Sequence, residues 1–228
     1  DNRANKIMVV HMKVLEEITK SSPDSLLSSV EAARADASLR LDPRRRVLLG
    51  QFLTSASVAT FMARMIECQK PIVRFLDPGA GVGSLSAAFV AEMCRRPLRP
   101  DVIALTAYEI DPMLIGYLQV TLDLCRRVCE DAGIQFEGRI VGDDFLEVGA
   151  STLAGDLFAV GEHERFDCAV LNPPYRKIRT ESRERKLLRA IGIETSNLYA
   201  GFLAVTARLL VSGGEMVAIT PRSFCNGP

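Results

Sequence analysis

Four consecutive residues, Asn172-Pro173-Pro174-Tyr175, hold the densest chemistry in the chain. The Asn172 amide oxygen and the Pro173 carbonyl are two uncharged acceptors, and Tyr175 adds a flat ring beside them. The set suits a planar group with an NH2 in its plane: each N–H finds an acceptor and one π-face is covered. The two prolines lack backbone donors and fix φ, so the turn that carries these groups is rigid. Taken alone, the four residues can also be read as a strand ending in a polar turn.

Three further positions could serve the same site. Asp77 heads the run Asp77-Pro78-Gly79-Ala80-Gly81-Val82-Gly83-Ser84, whose glycines let backbone approach a ligand closely. No Lys-Ser or Lys-Thr closes this loop, so it is not a Walker loop, and Ser84 fits the dinucleotide fingerprint poorly. A carboxylate at Asp77 repels a pyrophosphate and attracts a cationic ligand. Glu109 stands where nucleotide folds grip a ribose, one carboxylate accepting from two hydroxyls. Of Asp143 and Asp144, one could meet the exocyclic amine of a base and the other is a turn residue. A fourth stretch, Gly50-Gln51-Phe52-Leu53-Thr54-Ser55, feeds a helix N-terminus where a carboxylate could be held, although a helix capped by Ser55 or Ser57 explains it as well.

The elements around these residues alternate. Apolar runs predict strands over 72–76, 102–108, 136–141, 166–171 and 215–220. Helical spacing fills 58–66, the stretch from the glycine loop to Cys94, 112–131 and 198–211, with Ser212-Gly213-Gly214 ending the last. Residues 147–165 read as a polar, mildly acidic connection. Such alternation predicts an α/β fold with a largely parallel sheet and helices on both faces. The chemical residues then all sit at the carboxyl ends of strands, where open α/β sheets bind ligands. Residues 1–46 read as a helical N-terminal extension, broken at Ser21-Ser22-Pro23, that covers part of a main domain over 47–228.

Composition narrows the class. With 48% apolar and 25% charged residues and a net charge of zero, the chain is an ordinary globular one, and any affinity for a polyanion must come from local patches. Two such patches exist, Arg40–Arg46 and the stretch 176–197, where seven Lys/Arg face three Asp/Glu. A solvated helix of mixed charge is the alternative for the second. Six cysteines without a C-x-x-C and only two histidines predict no metal site and a reducing, cytoplasmic setting. No apolar run is long enough for a membrane span. The absence of an initial Met and the stop just after an apolar strand suggest a fragment of something longer.

In their order, these motifs resemble an adenine-N6 DNA methyltransferase of bacterial restriction-modification type, over residues 47–226. Asn172 to Tyr175 matches the catalytic signature in full. Asp77 to Gly83 is similar to the S-adenosyl-L-methionine loop, Glu109-Ile110-Asp111 to the ribose-binding acid, Asp144-Phe145-Leu146 to the adenine-facing turn, and Gly50 to Thr54 to the aromatic-Thr turn. Ser55 stands where the family usually has Pro. The resemblance implies a Rossmann-like S-adenosylmethionine-dependent methyltransferase fold. It implies cofactor contacts from Phe52, Thr54, Asp77, Gly79, Gly81, Gly83, Glu109, Ile110, Asp144, Phe145 and Asn172, and catalysis by Asn172, Pro173 and Tyr175. Asn172 Oδ1 and the Pro173 carbonyl would accept the two N6 hydrogens, and Tyr175 would stack on an adenine flipped from double-stranded DNA. The chain would stop before the final strands and the target-recognition region, with a fused or partner recognition or nuclease domain beyond Pro228. No cysteine follows a proline, so cytosine C5 chemistry has no nucleophile. A glutamine-N5 protein methyltransferase, a ribosomal-RNA base methyltransferase and a silent nucleic-acid-binding scaffold are the alternatives.

Overall fold

The computed structural model describes residues 21–42, 52–155 and 165–222. The expected helix before residue 21, the basic residues Arg44 to Arg46, Gly50 and Gln51, residues 156–164 and Cys225 lie outside the described residues. Among the described residues, five strands form one sheet: β1 (Ile72–Pro78), β2 (Val102–Tyr108), β3 (Gln135–Val141), β4 (Phe166–Leu171) and β5 (Leu210–Ala218). Their order is β3-β2-β1-β4-β5, and every neighbouring pair is parallel.

Among the described residues, seven helices flank the sheet: α1 (Pro23–Arg40), α2 (Ala56–Arg64), α3 (Ser84–Arg95), α4 (Pro112–Asp131), α5 (Phe145–Gly155), α6 (Arg183–Ala190) and α7 (Leu198–Leu209). Residues alternate across each strand, so one strand serves two cores. Val73, Phe75 and Cys168 join α1 to α4, while Leu76, Ala169 and Leu171 join α5 to α7. Crossovers of parallel strands are right-handed. Helices that step outward from β1 to β3 therefore cover one face, and those that step back from β4 to β5 cover the other. The direction reverses between β1 and β4, and the ends of those strands carry Asp77 and Asn172.

Local chemistry sets several boundaries. Ser22 and Ser25 form a reciprocal capping box at the start of α1, and Asp111 caps α4 through the Met113 N–H at 2.9 Å, with Pro112 in the first turn. The expected serine cap of α2 does not form. Ser55 is the N-cap residue, but its hydroxyl lies against that of Ser57, and Glu31 of α1 reaches across to accept from Ala56 N at 2.8 Å. A carboxylate from a neighbouring helix thus replaces the local hydroxyl, and it ties α1 to the start of the chemical turn.

Two other expectations need correction. Residues 147–155 are not a polar connection but belong to α5, which Asp144 caps through the N–H groups of Leu146 (2.8 Å) and Glu147 (3.1 Å). Gly149 looks like a helix breaker, yet a Cβ there would lie 2.5 Å from Val205 Cγ1, so the glycine lets α5 pack closely on α7. Ser212-Gly213-Gly214 does not end a helix either. It is a bulge inside β5, between the register pairs Phe166↔Leu210 and Cys168↔Glu215.

Candidate active site

A cleft opens at the strand-order reversal. The glycine loop forms one wall. Gly79 N–H and Ala80 N–H donate to the Tyr108 carbonyl at 2.9 and 2.8 Å, which pins the loop to the end of β2. Gly81 adopts φ +61° and a Cβ would sit 2.8 Å from Leu53 Cδ2, so this backbone faces the cleft only because it is bare.

Glu109 lies behind the loop, 5% exposed. Its Oε2 accepts from Gly81 N at 2.9 Å, and Oε1 accepts from Ile110 N (2.8 Å) and Asp111 N (2.9 Å). Burial raises its pKa, and the three N–H donors work against that rise. Asp77 is fully buried, and it points at the start of α3 instead of lining the cleft. Oδ2 accepts from Ser86 N (3.1 Å) and Ser86 Oγ (2.6 Å), while Oδ1 has no partner. Desolvation pushes its pKa up to about 7, Ser86 opposes the shift, and the charge of Glu109 adds to it. Two buried acids therefore stand together under the loop.

The opposite wall comes from residues after β3 and β4. Asp144 and Phe145 line the cleft, with Asp144 engaged as the cap of α5 and Phe145 buried edge-on to Tyr108, ring centroids 5.2 Å apart. Ile110 and Phe52 stand half-exposed at the mouth.

Asn172 joins this cleft to the Phe52–Thr54 turn, more than a hundred residues earlier in the sequence. Its Nδ2 donates to the Phe52 carbonyl at 3.0 Å and to Thr54 Oγ1 at 3.1 Å. Its Oδ1 accepts from the Tyr175 hydroxyl at 2.7 Å, and that hydroxyl also lies 3.0 Å from the Ile219 carbonyl. The Tyr175 ring sits between Phe52 and Tyr199, each at 6.3 Å and tilted, and burial raises its pKa to about 12. Pro173 is buried.

Of the sequence-predicted residues, Phe52, Gly79, Gly81, Glu109, Ile110, Asp144, Phe145 and Asn172 line the cleft, and Thr54 and Tyr175 meet Asn172 beside it. Asp77 lies behind the loop, and Gly83 faces α4, where a Cβ would lie 2.8 Å from Thr121 Cγ2. Sequence reasoning missed Tyr108, Leu114, Arg176, Leu198 and Phe202, which also line the cleft. Leu198 and Phe202 are spaced i, i+4 on α7, which is also the signature of any core-facing helix. Arg176 follows the signature directly and is held by Glu184 at 2.6 Å.

Further along the basic stretch, Arg183 pairs with Glu147, Arg185 and Arg189 with Glu194, and Lys186 with Glu181. Lys177 and Arg179 remain exposed with no carboxylate partner among the described residues. Also among the described residues, no cluster of three or more His, Cys, Asp or Glu could hold a metal, and no helix is long and apolar enough to cross a membrane.

Residues 132–228 match the Eco57I restriction-modification methylase family. The chain is 40% identical over 214 residues to the type II methyltransferase M.PstI of Providencia stuartii, covering 94% of this chain and 41% of that protein. It is 42% identical over 205 residues to the type II methyltransferase M.BsuBI of Bacillus subtilis, covering 89% of this chain and 39% of the relative. The chain therefore spans about two fifths of the length of these relatives. A Listeria monocytogenes protein described as a class I S-adenosylmethionine-dependent methyltransferase superposes with a TM-score of 0.65 at 14% identity, over 92% of this chain and 58% of the other. The fold is that of the S-adenosylmethionine-dependent methyltransferases.

Proposed function

We propose that this chain carries the cofactor-binding and catalytic machinery of a restriction-modification DNA methyltransferase, which moves a methyl group from S-adenosylmethionine to the N6 amine of an adenine flipped out of duplex DNA. The observation that carries the reading is the held amide of Asn172. Both of its N–H bonds are spent on Phe52 and Thr54, so the group has only oxygen left to offer. Beside it the Pro173 carbonyl is a second acceptor on a rigid turn.

The cleft fits the cofactor on its own terms. The bare backbone at Gly81 leaves room that a Cβ would fill. Apolar walls from Leu114 and Phe202 suit a flat ring, and Glu109 offers a carboxylate to a diol. Glu109 in the cleft, with Asp77 buried behind it, puts acids under the loop, a setting that suits a ligand with positive charge. When bound, S-adenosylmethionine supplies a methyl group activated by a cationic sulfur.

The chain's residues then solve the other half of the problem. The N6 lone pair of adenine is delocalised into the ring and is a poor nucleophile. Asn172 Oδ1 and the Pro173 carbonyl each accept one N6 hydrogen, which favours a pyramidal nitrogen and stabilises the positive charge that develops on it. The Tyr175 ring covers one face of the flipped base. Lys177 and Arg179, exposed just beyond the signature, offer charge to phosphates and favour nucleic acid over a protein glutamine as substrate.

The test is twofold. Calorimetry should detect S-adenosylmethionine binding, and transfer of a labelled methyl group to duplex DNA, followed by digestion to nucleosides, should place the label on N6-methyladenine. Label on cytosine, or on protein alone, would overturn the assignment.

A further inference from the structure

We infer that Thr54 and the hydroxyl of Tyr175 are positioning groups that set the rotation of the Asn172 amide, so that its oxygen and not its NH2 meets the target amine; this rests on the catalytic reading above. The two ends of a carboxamide have nearly the same shape, so packing alone does not choose between them. Hydrogen-bond polarity does. The Phe52 carbonyl can only accept, and it lies 3.0 Å from Nδ2. A flipped amide would set oxygen against oxygen there. Thr54, only 8% exposed, takes the second N–H at 3.1 Å where water has little access to replace it.

The Tyr175 hydroxyl completes the arrangement from the other side. It has one proton and two acceptors, Asn172 Oδ1 at 2.7 Å and the Ile219 carbonyl at 3.0 Å. Donating to Oδ1 occupies one of that oxygen's two acceptor sites and leaves one for an incoming N–H. Turning toward Ile219 frees the second. Ile219 is itself fixed, since its N–H donates to the Leu171 carbonyl at 3.0 Å. The target amine brings only N–H groups, so a flipped Asn172 would meet it donor to donor. On this basis Thr54 acts on the reaction through Asn172, and not by holding the cofactor as the resemblance alone implies.

The experiment measures the cofactor Kd by calorimetry and kcat at saturating cofactor and duplex DNA for Thr54→Val, Thr54→Ser, Tyr175→Phe and Asn172→Ala. Loss of one neutral hydrogen bond should lower kcat of Thr54→Val about tenfold, with the cofactor Kd changed less than about twofold. Thr54→Ser keeps the acceptor and should recover most of that loss. Tyr175→Phe keeps the ring, so DNA affinity should hold while kcat falls by a similar factor. In the Asn172→Ala background, Thr54→Val should cost less than about twofold more, because its partner is gone. A tenfold rise in cofactor Kd for Thr54→Val with kcat intact would make Thr54 a cofactor ligand and overturn the proposal, as would an undiminished loss in the Asn172→Ala background. Unchanged kcat in Tyr175→Phe would remove the hydroxyl from the arrangement, and with it the proposal as stated. Near wild-type kcat in Asn172→Ala would instead remove the catalytic reading beneath it.

Discussion

Replacing Asp77 by Asn should flatten the pH dependence of folding stability. Asp77 is fully buried, has one oxygen without a partner, and faces Ser86 and a second acid, Glu109, with no cation in contact among the described residues. Its ordinary pKa of 3.8 rises to about 7 in the folded chain, mainly because burial disfavours the charged form. The sign follows from linkage: an acid whose folded pKa is raised contributes stability below its unfolded pKa and loses it as pH climbs through the folded value. Between about pH 5.5 and about pH 7.5 the two titration curves differ enough for Asp77 to cost roughly 2 kcal/mol of stability. Asn keeps an oxygen for Ser86 and cannot ionise. Urea denaturation of both proteins at those two pH values, without ligand, is the assay. The wild type should lose roughly 2 kcal/mol more than Asp77→Asn on going to the higher pH. Parallel losses would mean that Asp77 is already ionised when buried, and would refute the reasoning about its orphaned oxygen.

Glu109→Ala removes the acceptor of three backbone N–H groups as well as the carboxylate proposed for the ribose, so cofactor affinity should fall by about 1.5–3 kcal/mol in a calorimetric titration. Phe89→Ala should cost about 3–5 kcal/mol of stability by denaturation, because its ring stacks on Phe75 at 3.9 Å and neither side chain is exposed. Replacing Lys177 and Arg179 together by Ala should lower the slope of log affinity for duplex DNA against log salt by about two. Arg189→Ala should leave that slope nearly unchanged, since Arg189 is already paired with Glu194 at 2.8 Å.

The parallel sheet was legible because β1, β2 and β4 are largely apolar runs that end at Asp77-Pro78, Glu109 and Asn172-Pro173. The start of α4 was legible too, since Asp111 and Pro112 act within one turn. What could not be read depends on distant partners. Glu31 caps α2 from another helix, Gly149 is explained only by Val205, and the bulge in β5 exists only against β4. In the site, position at strand ends pointed to Glu109 and Asp144, which line the cleft, and to Asp77, which lies behind the loop. The bond from Asn172 to Thr54 spans more than a hundred residues, and no local pattern announces it. The basic stretch misled in degree: its composition counts seven cations, but five are spent on nearby carboxylates.

Asn172→Ala tests the catalytic claim most directly, with cofactor binding and methyl transfer to duplex DNA measured on the same preparation. Cofactor affinity should stay nearly unaltered while most methyl transfer to adenine disappears, because the amide serves the target amine. Near-normal turnover in this variant would contradict the assignment of Asn172 as the acceptor that orients the N6 lone pair.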